Sequence, residues 1–214
     1  VNEDWFQAGQ DELTNALKKT AEPIVKPARN VILFVGDGMG ISTVSAARVY
    51  RAQLRNLTGN DAYLAMETLP HAGLSRTYAT DQQVPDSANT ATAMLCGVKC
   101  RDGVLGAKQN VVYEQCDTLK GNEVDSVMRK AMAEKGMWGG IVTTTRVTHA
   151  TPASAYANSP SRNWEADGDL PAADNGTCED IASQLVRSDK NQNIRVVLAG
   201  GRRAFFTANE TDPE

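Results

Sequence analysis

The apolar run VILFVG at residues 31–36, followed by the glycine-rich turn DGMG and the segment ISTVSAARVYRAQL, constrains the fold more than any other stretch. It is far shorter than the ~20 apolar residues a bilayer-spanning helix needs, and a run of that length predicts a buried core strand at about 30–35. Apolar residues after the turn recur at helical spacing, with Ser42 as a candidate cap, so strand, turn and helix follow in order. The pattern repeats. GNEVDSVMRKAMAEKG predicts a helix with Asn122 as cap, acids in its first turn, Val124, Val127 and Met128 on one face and Gly136 as terminator. It leads into a strand at 138–147, and the helix CEDIASQLVR precedes a further strand, IRVVLAGG. Strands alternating with helices predict an α/β fold with a mostly parallel central sheet flanked by helices.

The remaining segments are less regular. Trp5, Phe6, Leu13 and Leu17 at loosely helical spacing predict an amino-terminal helix, ended by Pro23 and Pro27, so that residues 1–28 form a helical segment ahead of the α/β domain. An extended piece covers 71–79, small residues after Ser87 suit a helix, and RDGVLGAKQNVVYEQC is irregular. Residues 158–177 are polar and turn-rich, which predicts a long surface excursion.

At 214 residues and 41% hydrophobic content, the chain can build one substantial core. A net charge of −4, without a basic stripe, argues against nucleic acid as a structural partner. Cys96, Cys100, Cys116 and Cys178 lack the paired CxxC spacing of a structural zinc site, and only two histidines, His71 and His149, are available to help them. Three N-x-S/T triplets, at Asn56, Asn175 and Asn209, are candidate glycosylation sites and, with an even cysteine count, favour an exported protein. The chain starts at Val1 with no leader and stops in a polar stretch, as in a mature secreted protein or a partial sequence.

Chemistry concentrates at three places. In VPDSANTATA, Asp86 or Ser87 suits a helix N-cap, and Ser87 alternatively suits a nucleophile at a helix start, where first-turn amides favour phosphate. Asp37, between Gly36 and Gly38 beyond the first strand, can face a bulky or charged group, or simply close a turn or cap a helix; GDGMG lacks the spacing of a dinucleotide fingerprint. Arg146, His149, Thr151 and Ser154 cluster after the strand at 138–147, where hydroxyls, an imidazole and a guanidinium suit an anion or metal site, or a turn with a hydrogen-bonded histidine.

Taken together, NVILFVGDGMG, VPDSANTATAMLCGVK, GNEVDSVM, VTTTRVTHATPASAYA, SRNWEAD and VVLAGGRR closely resemble the metazoan alkaline phosphatases, from about residue 29 onward. The resemblance implies phosphate-monoester hydrolysis through a phosphoserine on Ser87, at a site of two Zn2+ and one Mg2+. It makes Asp37 the aspartate bridging a zinc and the magnesium, Ser87 a zinc ligand, Thr151 a magnesium ligand, and His149 a residue beside the magnesium that reaches it through water. Arg162 becomes the guanidinium that clamps the substrate phosphate, two of whose oxygens its planar fork suits, although an arginine in so polar a loop reads otherwise as a solvated charge.

The same resemblance implies a Cys116–Cys178 disulfide, an unpaired buried Cys96, and an extracellular homodimer, either secreted or held by a GPI anchor whose signal lies outside this sequence. Whether Cys100 pairs with Cys96 stays open. The family's zinc-binding histidines, further aspartates and a glutamate come from a carboxyl-terminal half not matched here. The chain is therefore read as an amino-terminal fragment, its residues 29–214 being part of one alkaline-phosphatase-like domain incomplete at the carboxyl-terminal side and, in isolation, expected to be inactive. The competing readings are a sulfatase or phosphodiesterase of the same metal-dependent superfamily, and a catalytically silent secreted glycoprotein acting as a binding surface.

Overall fold

The computed structural model describes residues 5–20, 27–58, 62–172, 177–207 and 210. The chain divides into two compact units, 1–75 and 76–214. The first contains helices α1 (Trp5–Thr20) and α2 (Ile41–Gln53). Leu13 and Leu17 of α1 are exposed. The side chains of Trp5 and Phe6, and the prolines' neighbourhood at 21–26, lie outside the described residues. Helix α2 starts at Ile41 with Gly40 as its N-cap, so Ser42 stands inside the first turn and does not cap it. An ion pair between Arg48 and Glu67 ties α2 to a short 3-10 turn at Ala65–Thr68.

The run at 31–35 departs from expectation. It is not a strand, and Phe34 is 90% exposed. A strand apolar on both faces is stable when neighbouring strands and covering helices enclose it, and the described residues of this unit supply helices but no strand to pair with.

The second unit carries the sheet. Its elements are α3 (Ser87–Cys96), α4 (Val127–Lys135), β1 (Gly139–Arg146), α5 (Ala150–Ala153), α6 (Ile181–Arg187) and β2 (Ile194–Gly200). Strands β1 and β2 pair in parallel, with Gly139 opposite Ile194 and Val142 opposite Leu198. They are the two strands among the described residues, so the parallel, helix-flanked sheet is present in part.

The main core packs Leu105, Ile141, Val147, Tyr156 and Ile181 against alanines of α3 and α5. The fully buried Tyr156 donates its hydroxyl to the carbonyl of Val147 at 2.9 Å, which satisfies the one polar atom of its ring. Small residues let α3 and α5 approach closely: Ser154 Oγ lies 3.5 Å from the Ala88 carbonyl.

Two other expectations are corrected. Helix α4 is capped by Ser126, whose Oγ accepts the Arg129 amide at 3.1 Å, not by Asn122, whose side chain donates to the Thr118 carbonyl. The reason is local: Ala107 bridges Glu123, and the Val124 amide bonds the Gly106 carbonyl, which holds 123–124 extended until Ser126. Gly136 ends α4 as expected, in the left-handed conformation at φ 63°.

The segment from 158 is not simply a surface excursion. Asn158, Ser159, Pro160, Ser161 and Trp164 are buried, Asn163 is exposed between them, and continuous exposure begins at Asp167. Its polar groups are satisfied internally. Leu105 and Ser159 form an antiparallel bridge, Ser159 Oγ donates to the Ser161 carbonyl, and Asn158 Nδ2 donates to the carbonyls of Gly106 and Val124.

Candidate active site

Helix α3 begins where the sequence left two choices. Asp86 is the N-cap: its Oδ1 accepts the Asn89 amide at 3.2 Å, and Ser87 is the first helical residue. Ser87 therefore keeps its hydroxyl for another partner. That partner is Arg162, whose Nη1 lies 3.1 Å from Ser87 Oγ and 2.8 Å from Asp86 Oδ2. The other terminal nitrogen, Nη2, lies 3.3 Å from His149 Nε2. The alternative of a freely solvated Arg162 does not hold.

Arg162 is carried there by the buried stretch before it. Its own amide donates to the Gly103 carbonyl at 2.8 Å, and Trp164, two residues later, packs on the Cys116–Cys178 disulfide. That disulfide is formed, whereas Cys96 and Cys100 are both free. Burial pushes the Cys96 thiol up to about 11 and the Cys100 thiol to about 12, so both stay protonated and unreactive at neutral pH.

Beyond β1, Arg146 grips Glu165 with Nε at 2.8 Å and Nη2 at 2.7 Å, while Thr148 donates to the same carboxylate at 2.6 Å. Burial alone would raise the Glu165 pKa. The Arg146 and Thr148 hydrogen bonds outweigh it and leave the carboxylate below its ordinary range. This ties the loop after Arg162 to the end of the strand.

His149 is the residue before α5 and Thr151 sits half-buried inside that helix. Asp37 belongs to the first unit. It occupies a turn in which the Met39 amide bonds the Gly36 carbonyl, and Gly38 adopts φ 64°, a conformation glycine enters without strain. His71 lies outside the helices of the same unit. Of the candidate sequons, Asn56 is exposed in a turn, while Asn175 and Asn209 lie outside the described residues. Thus the second unit brings Ser87, His149 and Arg162 together, and Asp37 stands in its own tight turn.

A sequence model of the family described as alkaline phosphatase matches residues 28–214. The chain belongs to the alkaline phosphatase family. It is 49% identical over 213 residues to the tissue-nonspecific alkaline phosphatase of Gallus gallus, and 45% identical over 212 residues to the Homo sapiens protein of that name. The alignments cover 99% and 98% of this chain but 40% of each relative, so the chain spans about two fifths of their length.

Among solved structures, a cold-active alkaline phosphatase from Shewanella sp. superposes with a TM-score of 0.54 at 28% identity, over 81% of this chain and 36% of that one. The Thermus thermophilus alkaline phosphatase gives 0.53 at 26% identity, over 87% and 43%. Among the described residues no three histidine, cysteine, aspartate or glutamate side chains converge to hold a metal ion. The described residues therefore do not by themselves make up a metal cluster.

Motif reading missed the second function of Asp86. The Asp-Ser pair was visible as a cap and a hydroxyl, but an ion pair to a guanidinium 76 residues away has no local signature. It also missed Asn89, Asp102 and Gly103, all of which hydrogen-bond around Asp86.

Proposed function

We propose that the whole protein hydrolyses phosphate monoesters in two transfers. The phosphoryl group passes to Ser87 Oγ with release of the alcohol, and water then takes it from the phosphoserine, returning the hydroxyl and releasing inorganic phosphate. The observation that supports this best is the position of one Arg162 nitrogen, 3.1 Å from Ser87 Oγ and 2.8 Å from Asp86 Oδ2. A guanidinium fork beside a hydroxyl at a helix start suits a tetrahedral oxyanion that must be held while the hydroxyl attacks.

His149, against the other arm of the fork, limits how Arg162 can turn. In this reading Asp37, Ser87 and Thr151 would be ligands of two zinc ions and one magnesium, with His149 beside the magnesium and the remaining donors supplied by residues other than those described. An extracellular setting agrees with the Cys116–Cys178 disulfide, since such bonds persist in oxidising compartments. Among the described residues no helix is long and apolar enough to cross a membrane.

The test is hydrolysis of a chromogenic phosphate monoester by the full-length protein, with acid quenching to trap covalent phosphate. The expected result is turnover that is lost on thorough chelation and a trapped phosphoenzyme absent from Ser87→Ala. Turnover that survives either the chelator or Ser87→Ala would overturn the mechanism.

A further inference from the structure

In a capping box the third helical residue reaches back to accept the amide of the N-cap residue. In α3 that third residue is Asn89, and its side chain is otherwise engaged: Nδ2 donates to Asp86 Oδ1 at 2.9 Å and to Asp102 Oδ1 at 3.0 Å. The acceptor for the Asp86 amide comes from outside the helix. It is the same Asp102 Oδ1, at 2.8 Å. Asp102 is itself fixed by Asp81, which accepts its amide at 2.9 Å, and the next residue closes the circuit. Gly103 donates its amide to Asp86 Oδ1 at 3.2 Å and accepts the Arg162 amide at 2.8 Å. Gly103 also has no room for a side chain, because an added Cβ would meet the Tyr113 ring at 2.4 Å.

We infer that Asp102 is a positioning residue for phosphate handling: it completes the cap of α3 from another loop, and so fixes the Asp86 carboxylate that orients Arg162 beside Ser87. The two carboxylates tolerate proximity because the Asn89 amide stands between them with one hydrogen toward each. Asp102 never touches Arg162 in this scheme. It acts by holding the Asp86 backbone while the Asp86 side chain is left free to divide its oxygens, Oδ1 to amides and Oδ2 to the guanidinium.

For its effect on turnover the inference rests on the monoester hydrolysis proposed above, so the test has a second readout that needs no activity. Full-length Asp102→Ala, Asp102→Asn and Asp180→Ala are compared with wild type. The last removes the N-cap of α6, where Asp180 Oδ1 accepts the Ser183 amide at 2.8 Å, and serves as a destabilised control outside the network.

Asp102→Ala is expected to raise KM and the inhibition constant of inorganic phosphate about three- to tenfold, with kcat within about twofold, since a guanidinium that grips ground state and transition state alike acts mainly on KM. Asp102→Asn keeps an oxygen at the accepting position and restores wild-type values, and Asp180→Ala leaves them unchanged. Amide hydrogen exchange in peptides covering 84–92 quickens in Asp102→Ala alone. Unchanged exchange in Asp102→Ala, or equal quickening in Asp180→Ala, overturns the inference, as does wild-type KM in Asp102→Ala. If wild type hydrolyses no phosphate ester, the functional proposal falls, and the exchange data still decide the role of Asp102.

Discussion

Removing the Cys116–Cys178 disulfide tests both the stability and the precision of the site. The bond joins residues 62 apart, and in the chain-entropy model a loop of that length stabilises the folded state by about 4 kcal/mol. Its packing adds a local consequence. Trp164, 3% exposed, lies on the two cysteines with Leu119 and Leu170 beside it, and its carbonyl accepts the Ile181 amide at 2.9 Å. The segment between Arg162 and α6 is therefore anchored at the disulfide. The double variant Cys116→Ala/Cys178→Ala of the full-length protein should lose about 1–2 M in its urea midpoint, for a slope of about 2–3 kcal/mol/M. Phosphate should also bind more weakly, because Arg162 stands two residues from the loosened tryptophan. Equilibrium unfolding followed by tryptophan fluorescence, with phosphate inhibition measured below the transition, reads both effects. Coincident midpoints would refute the loop-closure account, and a lowered midpoint with unchanged phosphate inhibition would refute the link to Arg162.

Other changes have distinct signatures. Arg129, 4% exposed, donates to Asn191 Oδ1 at 3.0 Å, Asn158 Oδ1 at 2.6 Å and the Tyr156 carbonyl, so Arg129→Met strands buried acceptors and should cost about 2–4 kcal/mol, read as a fall in the urea midpoint. Arg162→Lys keeps the charge but loses the fork that spans Asp86, Ser87 and His149, and phosphate inhibition should weaken about tenfold while the urea midpoint stays put. The Glu165 carboxylate is depressed in the folded state, so its stabilisation is complete above the unfolded value of about 4.3 and is lost as pH falls through the lower folded value. Glu165→Gln should thus lower the urea midpoint at pH 7 and converge with wild type under acid, where Glu165 is protonated in both states.

How far these features were legible depended on how local their causes are. The cap at Asp86, the stop at Gly136 and the strands at 139–146 and 194–200 follow from neighbouring residues, and all are present. The run at 31–35 was apolar enough for a core strand, yet strand formation needs a partner that composition does not reveal. Residues 158–164 were misread because serine and asparagine look solvated in a sequence, whereas their small side chains bury readily once each polar atom finds a carbonyl or amide. The cap of α4 moved from Asn122 to Ser126 for a similar reason, since a bridge between Ala107 and Glu123 overrides a local preference. In the site, Ser87 and Arg162 were recognisable from motifs, but the carboxylate that joins them was visible only as a cap.

The double duty of Asp86 explains why such a join is useful. Its pair with Arg162 is partly open to solvent, with side-chain exposures of 18% and 23%, and exposed ion pairs contribute little to stability. Its value lies in direction. Burial would raise the Asp86 pKa, but bonds from the Asn89 amide, Arg162 and the Gly103 amide prevail and keep the carboxylate ionised. Because Oδ1 is held by amides that do not depend on Arg162, the guanidinium can turn part of its hydrogen bonding to a phosphate without leaving a buried carboxylate stranded. A carboxylate satisfied only by Arg162 would compete with every incoming anion; one anchored by the backbone aims the guanidinium and still lets it bind.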